Sequence, residues 1–595
     1  MGAVRRSVVA VLAALMLAAG IGAGPASARL PVDRDPIEPP GEIEETFTPP
    51  PGGFQWRVDS RFGLRRDGMV DYHWNEAAGS RFPGPAYTYD PSYVRPTSLT
   101  AKFDGCPTEA EAGAAAGSTA YNYRWELRNP SDRALIATPA NGRSCRLEHP
   151  FALDPVTGKG TPTVVRLSIT DPATGAPYTG YSSGKTFDEQ TVEVKDLLIV
   201  SLGDSYGSGE GSPDVPQQID SLGYVTAEAR WQDRRCHRSA AAPSAQAAMA
   251  LEAADPHSTV TFLSFACSGA TISQPYFGDQ SNFDPYRIPP IGGFTKPRGT
   301  GILGPYIGTE APKLDGADDY RDEVKLPSQI DQLQRALTND GQLPARHIAA
   351  LSISGGGNDM GFGPLASVCT LYYECPEHFV DDAFGRGRIR LKDRFQQSLA
   401  TMPARYTAMA QALGQFTIGK TYITQYPDPT RDSSGALCST ILNDVIPGWM
   451  QPFLAAAAVL DFSPVPAVPF QMDRADGTVA HDEVAYAANV VLPGMNGEVR
   501  KGANAHGWTL VDGIADDTAN IFSGHGYCAS NGWIRNAADA TRLQGPWDPP
   551  LNCNMVSLIF TFPIFAAAGC LPPATTKTTG TLHPTSDGYR AIAER

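Results

Sequence analysis

At Asp196 the patterning of the chain changes, and this change constrains the fold more than any other feature of the sequence. Leu197–Leu202 (LLIVSL) is an unbroken apolar run that ends in Gly203-Asp204-Ser205. A strand buried on both faces reads this way, and such strands belong to parallel sheets covered by helices. Alternation follows. Ala240–Ala254 is Ala-rich and helical, and Thr259–Phe265 (TVTFLSF) reads as a second strand. Leu326–Leu337 is a short helix, Ile348–Ser354 (IAALSIS) a third strand, and Leu391–Leu413 a longer helix. Lys420–Gln425 and Thr509–Asp512 supply a fourth and fifth strand, and Ser586–Arg595 a closing helix. Residues 196–595 therefore predict an α/β domain with a parallel sheet and helices on both faces.

Upstream, residues 54–195 read as an all-β, sandwich-like domain. Tyr121, Tyr123, Trp125 and Leu127 alternate with polar residues, as do Val165, Leu167 and Ile169, then Val192 and Val194. Period-2 runs split by Asp, Gly and Pro are the pattern of half-buried antiparallel strands. Residues 29–53 are acidic and Pro-rich and predict an extended linker. Residues 1–28 have the form of a signal peptide. Arg5 and Arg6 precede an apolar stretch, and Ala26-Ser27-Ala28 is a small-x-small cleavage site. The expected mature protein is secreted after cleavage near Ala28; the arginine pair leaves the Sec and Tat routes both open.

Three stretches interrupt the α/β alternation, near 276–324, 447–471 and 545–575. The last holds the apolar run Val556–Ala568, too short and too Pro-broken to span a membrane. Long insertions of this kind serve as lids or substrate walls, or as plain core cover. Net charge is −15 with no basic stripe, which excludes electrostatic binding of nucleic acid. The 59 glycines and 51 prolines argue for many turns and against a helical bundle or coiled coil. Ten cysteines behind an export signal indicate disulfides rather than zinc, since no CxxC occurs. No metal or cofactor is expected, as no HExxH or EF-hand loop is present.

Four sites carry candidate chemistry. Ser205 follows a buried strand, where parallel sheets place their ligands, and the next backbone N–H groups can face an oxyanion. Gly269, in Ala266-Cys267-Ser268-Gly269-Ala270, ends the second strand and lets a main-chain N–H approach a reacting atom. Asn358, in Gly356-Gly357-Asn358-Asp359, ends the third strand with a side-chain amide that can donate to the same oxyanion. His583 precedes the closing helix and is the usual type of base for a serine. Taken singly, each is also an ordinary turn residue.

Together, GDSYGSGEG, ACSGA, SGGGND and LHPTSDGY resemble, in order and position, the four blocks of the SGNH hydrolases, also called GDSL esterases/lipases. Cys236-His237-Arg238-Ser239 and Gly524-His525-Gly526-Tyr527-Cys528 resemble the secreted actinobacterial lipases and esterases of that family. The resemblance implies a flavodoxin-like three-layer α/β/α domain. It also implies Ser205 as nucleophile and His583 as base. The Ser205 N–H, the Gly269 N–H and the Asn358 amide would form the oxyanion hole. Asp204 and Asp359 would shape loops rather than react. The subfamily also implies the pairs Cys236–Cys267, Cys369–Cys375 and Cys438–Cys528; Cys106–Cys145 and Cys553–Cys570 are added by proximity. The upstream region resembles a PKD-like or immunoglobulin-like module, and that likeness is weakly specific.

One departure stands out. The family usually carries an aspartate three residues before the histidine, where this chain has Gly580. The expectation is a Ser205–His583 dyad assisted by a main-chain carbonyl near Gly580 or Thr581, with Asp587 as the less favoured alternative. His237 and His525, each beside an expected bridge, are read as structural. Gly203-Asp204-Ser205-Tyr206-Gly207 also fits the G-x-S-x-G elbow of α/β-hydrolases. That fold is rejected, because Ser205 follows the first strand of its domain and no oxyanion loop precedes it. The resulting expectation is an ester hydrolase acting on lipid or aryl/alkyl esters, with no membrane span in the mature chain. The N-terminal module would contact a polymer or cell surface. The alternatives are a polysaccharide acetyl esterase tethered by that module and a catalytically dead binding protein.

Overall fold

The computed structural model describes residues 53–62, 89–108, 113–114, 119–181, 184–219, 225–227, 229–233, 236–273, 301–304, 327–381, 387–442, 478–516, 519–544 and 580–595. The expected signal peptide, nearly all of the 29–53 linker, most of the 276–324 insertion, the 447–471 and 545–575 insertions and the Cys553–Cys570 pair lie outside them.

Among the described residues, seven strands form the upstream region: β1 Gln55–Val58, β2 Ser98–Asp104, β3 Asn122–Arg128, β4 Leu135–Gly142, β5 Arg146–Ala152, β6 Thr163–Thr170 and β7 Asp188–Val192. They make two antiparallel sheets, ordered β1-β2-β5 and β4-β3-β6-β7. The alternation seen in sequence points Tyr123, Trp125, Leu167 and Ile169 into one core, where they meet Trp56 and Phe103 of the other sheet and Phe54 just before it. Cys106 and Cys145 are bonded beside that core. Three hairpin loops share one turn chemistry. Asn129, Asp154 and Asp171 each accept from the backbone N–H two residues on. The fifth residue of each turn, Arg133, Gly158 or Gly175, adopts positive φ and donates back. The three-stranded sheet had weak sequence signals. Ser98–Asp104 and Arg146–Ala152 mix Lys, Glu, His and Pro into the alternation, so their partners rather than their composition define them.

Among the described residues, the main sheet of the second region has five strands: β8 Lys195–Gly203, β9 Ser258–Ser264, β10 Ile348–Ser354, β11 Ile418–Thr424 and β12 Thr509–Val511. All pairings are parallel and the order is β9-β8-β10-β11-β12. The chain thus moves one way from β8 to β9 and then returns past β8 to β10. Right-handed crossovers place the intervening helices on opposite faces of the sheet. Helix α2 (Pro243–Ala254) packs with the closing helix α7 (Ser586–Ala593), and α5 (Leu391–Leu413) with α6 (Leu492–His506). The direction reverses between β8 and β10, and a doubly wound sheet opens its ligand crevice at such a point.

The two regions are stitched together. Tyr93 and Tyr89 cap the outer edge of β9: their hydroxyls accept from the N–H groups of Phe262 and Ser264 at 2.9 and 2.8 Å. Alternate residues of an edge strand turn their N–H and C=O outward, so two tyrosines suffice to blunt it. At the N-terminal end of the sheet, buried Asp196 binds Arg346 (2.6 Å), Arg61 (3.1 Å), Thr259 (2.6 Å) and Thr261 (2.7 Å). Four donors from three segments converge on one buried carboxylate and compensate its lost hydration.

Candidate active site

The site is built at the carboxyl ends of β8, β9 and β10. Gly203 ends β8 with φ +143°, and a Cβ there would meet the Ser354 carbonyl oxygen at 1.9 Å. Only glycine allows that approach, and through it Asp204 N–H donates to Ser354 O at 2.8 Å. Gln329 clamps the same residue: Gly203 N–H donates to Gln329 Oε1 and Gln329 Nε2 to Gly203 O, both at 2.7 Å. Ser205 opens the one-turn helix α1 (Ser205–Ser208), capped by the Asp204 carboxylate on Tyr206 N–H. Burial pushes the Asp204 carboxyl up to about 6, and Tyr426 OH (2.6 Å) and Ser354 Oγ (2.8 Å) also bind it. With its oxygens occupied in this way, Asp204 shapes the turn.

His583 arrives from the far end of the chain. Its Nε2 lies 2.7 Å from Ser205 Oγ, and its Nδ1 lies 3.1 Å from the Thr581 carbonyl oxygen. A carbonyl can only accept, so Nδ1 carries the proton and Nε2 is left to accept from the serine hydroxyl. Leu582, between the two, has φ +66°. That strained backbone is held by three contacts. Tyr206 OH donates to Leu582 O (3.1 Å), Leu582 N–H to Arg535 O (3.0 Å), and Arg535 N–H to His583 O (2.8 Å). The Tyr206 ring also lies 4.7 Å from the imidazole. Burial holds His583 below the ordinary imidazole pKa, and the Glu210 carboxylate and the Thr581 carbonyl oppose that shift. Asp587, the alternative carboxylate, is half exposed and paired with Arg590 at 3.1 Å on α7.

Gly269 is exposed at the end of β9 with φ +78°. Its loop is fixed by Cys236–Cys267, by Cys267 N–H to Gly203 O (3.0 Å) and by Ser268 N–H to Cys236 O (3.1 Å). Asn358 lies in the turn α4 (Gly357–Met360) beyond β10, and its Nδ2 donates one hydrogen to Ala270 O at 2.8 Å. An amide nitrogen has two, so the second is free for another acceptor. Asp359 ties the same loops together, accepting from Ile272 N–H at 2.9 Å and pairing with Arg405. Burial raises its carboxyl and Arg405 counters. Ser205, Gly269 and Asn358 thus lie in the turns that follow three neighbouring strands, with His583 on the serine.

Among the described cysteines, Cys369–Cys375 and Cys438–Cys528 are bonded as well, and none is free. His525 stacks on Trp533 at 3.9 Å. His237 stacks on Trp231 and bonds Glu210. Three contributors had no local signal in the sequence: Gln329, Tyr426 and Arg535 reach the site from distant segments. Tyr206 and Glu210 stand inside the first block, where no local pattern marks them as partners of His583.

No protein-family profile and no curated protein sequence matches the chain. Among solved structures, it is similar to the extracellular lipase from Streptomyces rimosus, at 17% identity and a TM-score of 0.31, over 67% of this chain and 98% of that one. It is also similar to a carbohydrate esterase whose active site is described as having divergent catalytic and non-catalytic binding functions (11% identity, TM-score 0.19, 63% and 80% covered). A third is an active-site mutant of a family two carbohydrate esterase from Clostridium thermocellum (10%, 0.17, 64% and 78%). At these scores the likeness adds no weight to the site, which stands on its own geometry.

Proposed function

We propose that this chain is a secreted serine carboxylic-ester hydrolase of the SGNH type, working through an acyl-enzyme on Ser205. The observation that carries the reading is the 2.7 Å contact of Ser205 Oγ with a His583 whose other nitrogen is fixed by a carbonyl. In the first half-reaction Ser205 Oγ attacks the ester carbonyl carbon and His583 Nε2 takes its proton. The carbonyl oxygen becomes an oxyanion, stabilised by the Ser205 and Gly269 N–H groups and the second Asn358 amide hydrogen. Collapse expels the alcohol, which takes the proton from His583. Water then repeats the sequence on the acyl-enzyme and releases the acid. The Thr581 carbonyl stabilises the transient imidazolium in the place where triads hold an aspartate. The four disulfides among the described residues support an extracellular setting.

Hydrolysis of p-nitrophenyl esters of graded chain length by the wild type and by Ser205→Ala tests the reading. Activity that falls by about a thousandfold or more in the variant supports it. An optimum at long acyl chains fits lipid or aryl-ester substrates, and a sharp optimum at acetyl moves the assignment to a carbohydrate acetyl esterase. A folded wild type that cleaves no ester would overturn it.

A further inference from the structure

Five residues after the nucleophile, the chain buries a carboxylate that the mechanism above does not use. Glu210 is fully buried. Its main chain belongs to the nucleophile turn: Glu210 N–H donates to Ser205 O at 3.1 Å, and Glu210 O accepts from Tyr589 OH at 2.8 Å. Its side chain is held by His237, Gln544 and the side chain of Ser268. Oε2 meets His237 Nδ1 at 2.8 Å, and Oε1 accepts from Gln544 Nε2 at 2.5 Å. Gln544 also accepts from Gly211 N–H at 2.9 Å. Gly211 in turn abuts the histidine: a Cβ on it would lie 3.2 Å from His583 Cβ and 3.1 Å from Gly580 O. The carboxylate is thus pinned beneath the backbone that presents His583.

We propose that Glu210 is a positioning residue for His583, a buried carboxylate that supplies from below the negative field which Gly580 cannot supply as a side chain. The inference rests on the reading of His583 as the base. Taking a proton from Ser205 creates an imidazolium in a dry site. A fixed anion lowers the cost of that charge, and its worth grows with desolvation. Glu210 is ionised across the working range: burial would raise it, but the adjacent His237 and the nearby His583 bring it down to about 2. His237 partly neutralises it and acts on His583 in the opposite sense. The other titratable groups around the pair are Tyr206 and Tyr589, both held neutral by burial, Arg535, whose Nε donates to Gly211 O at 2.9 Å, and Asp204, pushed up to about 6 by burial at the start of the nucleophile turn.

The two members of the pair therefore make opposite predictions. Glu210→Gln removes the field, so His583 titrates at lower pH, the acid limb of kcat/KM moves down with it, and kcat falls roughly tenfold with KM little changed. Glu210→Asp keeps the charge and restores the wild-type limb. His237→Gln leaves the carboxylate without its counter-charge, so His583 titrates higher and the limb moves up. His583 is followed by NMR of ε-13C-labelled histidine in the full chain, assigned with His583→Gln, and folding is checked by near-UV circular dichroism. The titration does not depend on turnover, so loss of the esterase reading and loss of this one are told apart. A folded Glu210→Gln with His583 and the limb unmoved overturns the proposal. Should that variant not fold, an unmoved His583 in His237→Gln does so.

Discussion

The Thr581 carbonyl oxygen stands 3.1 Å from His583 Nδ1, where a side-chain carboxylate is the usual partner of a catalytic histidine. A carbonyl fixes the tautomer as well as a carboxylate does but brings only a partial charge. The strained αL backbone at Leu582 turns that carbonyl onto the ring two residues later.

This geometry makes Asp587 dispensable. It is half exposed, paired with Arg590, and sits in the first turn of α7. Asp587→Asn is expected to leave kcat/KM within about twofold and to cost at most roughly 0.5 kcal/mol, as exposed pairs do. Steady-state kinetics and thermal melts check this. A thousandfold loss in a folded variant would make the carboxylate part of the machinery.

Activity should persist into mildly acidic solution. The reaction needs His583 neutral, and burial lowers its pKa from the ordinary value of 6.5. The acid limb of kcat/KM then falls below that value, and protonation abolishes activity only as pH drops through the lowered pKa. A pH–rate profile of the free enzyme reads this directly. A limb above the ordinary imidazole value would contradict it.

Asn358→Ala removes one oxyanion donor and the hydrogen bond to Ala270 O. The expected loss is about 100- to 1,000-fold in kcat with KM nearly unchanged, together with roughly 1 kcal/mol of stability. Kinetics and a denaturant melt on the same preparation separate the two effects. An unchanged kcat would remove Asn358 from the site.

Two glycines should respond oppositely to alanine. Gly203→Ala drives a Cβ into Ser354 O at positive φ, so the expected cost is several kcal/mol with loss of activity. Gly497, within α6, has nothing within 4 Å of a built Cβ. Gly497→Ala is expected to stabilise by roughly 0.5–1 kcal/mol, through helix propensity. Denaturant midpoints decide both.

Much of the architecture was legible because its signals are local. The run Leu197–Leu202 lies within β8, and the helical spacing of Leu391–Leu413 matches α5 residue for residue. Ser205, Gly269, Asn358 and His583 were readable as candidates for a related reason. A parallel sheet places function at the carboxyl ends of its strands, and each of the first three follows a recognisable strand.

Other features are invisible along the chain. Nothing in the sequence says that Tyr89 and Tyr93 cap the edge of β9, or that Asp196 gathers Arg61 and Arg346. The same holds for Gln329 on Gly203 and for Glu210 beneath His583. The sequence determined the strands of the parallel sheet, the long helices and the chemistry-bearing turns, because hydrophobic period and turn chemistry act over a few residues. Only the tertiary structure decided the partners of the buried polar groups. A buried charge or N–H must find its counterpart wherever the fold brings one near, often more than a hundred residues away, and no local pattern encodes that distance.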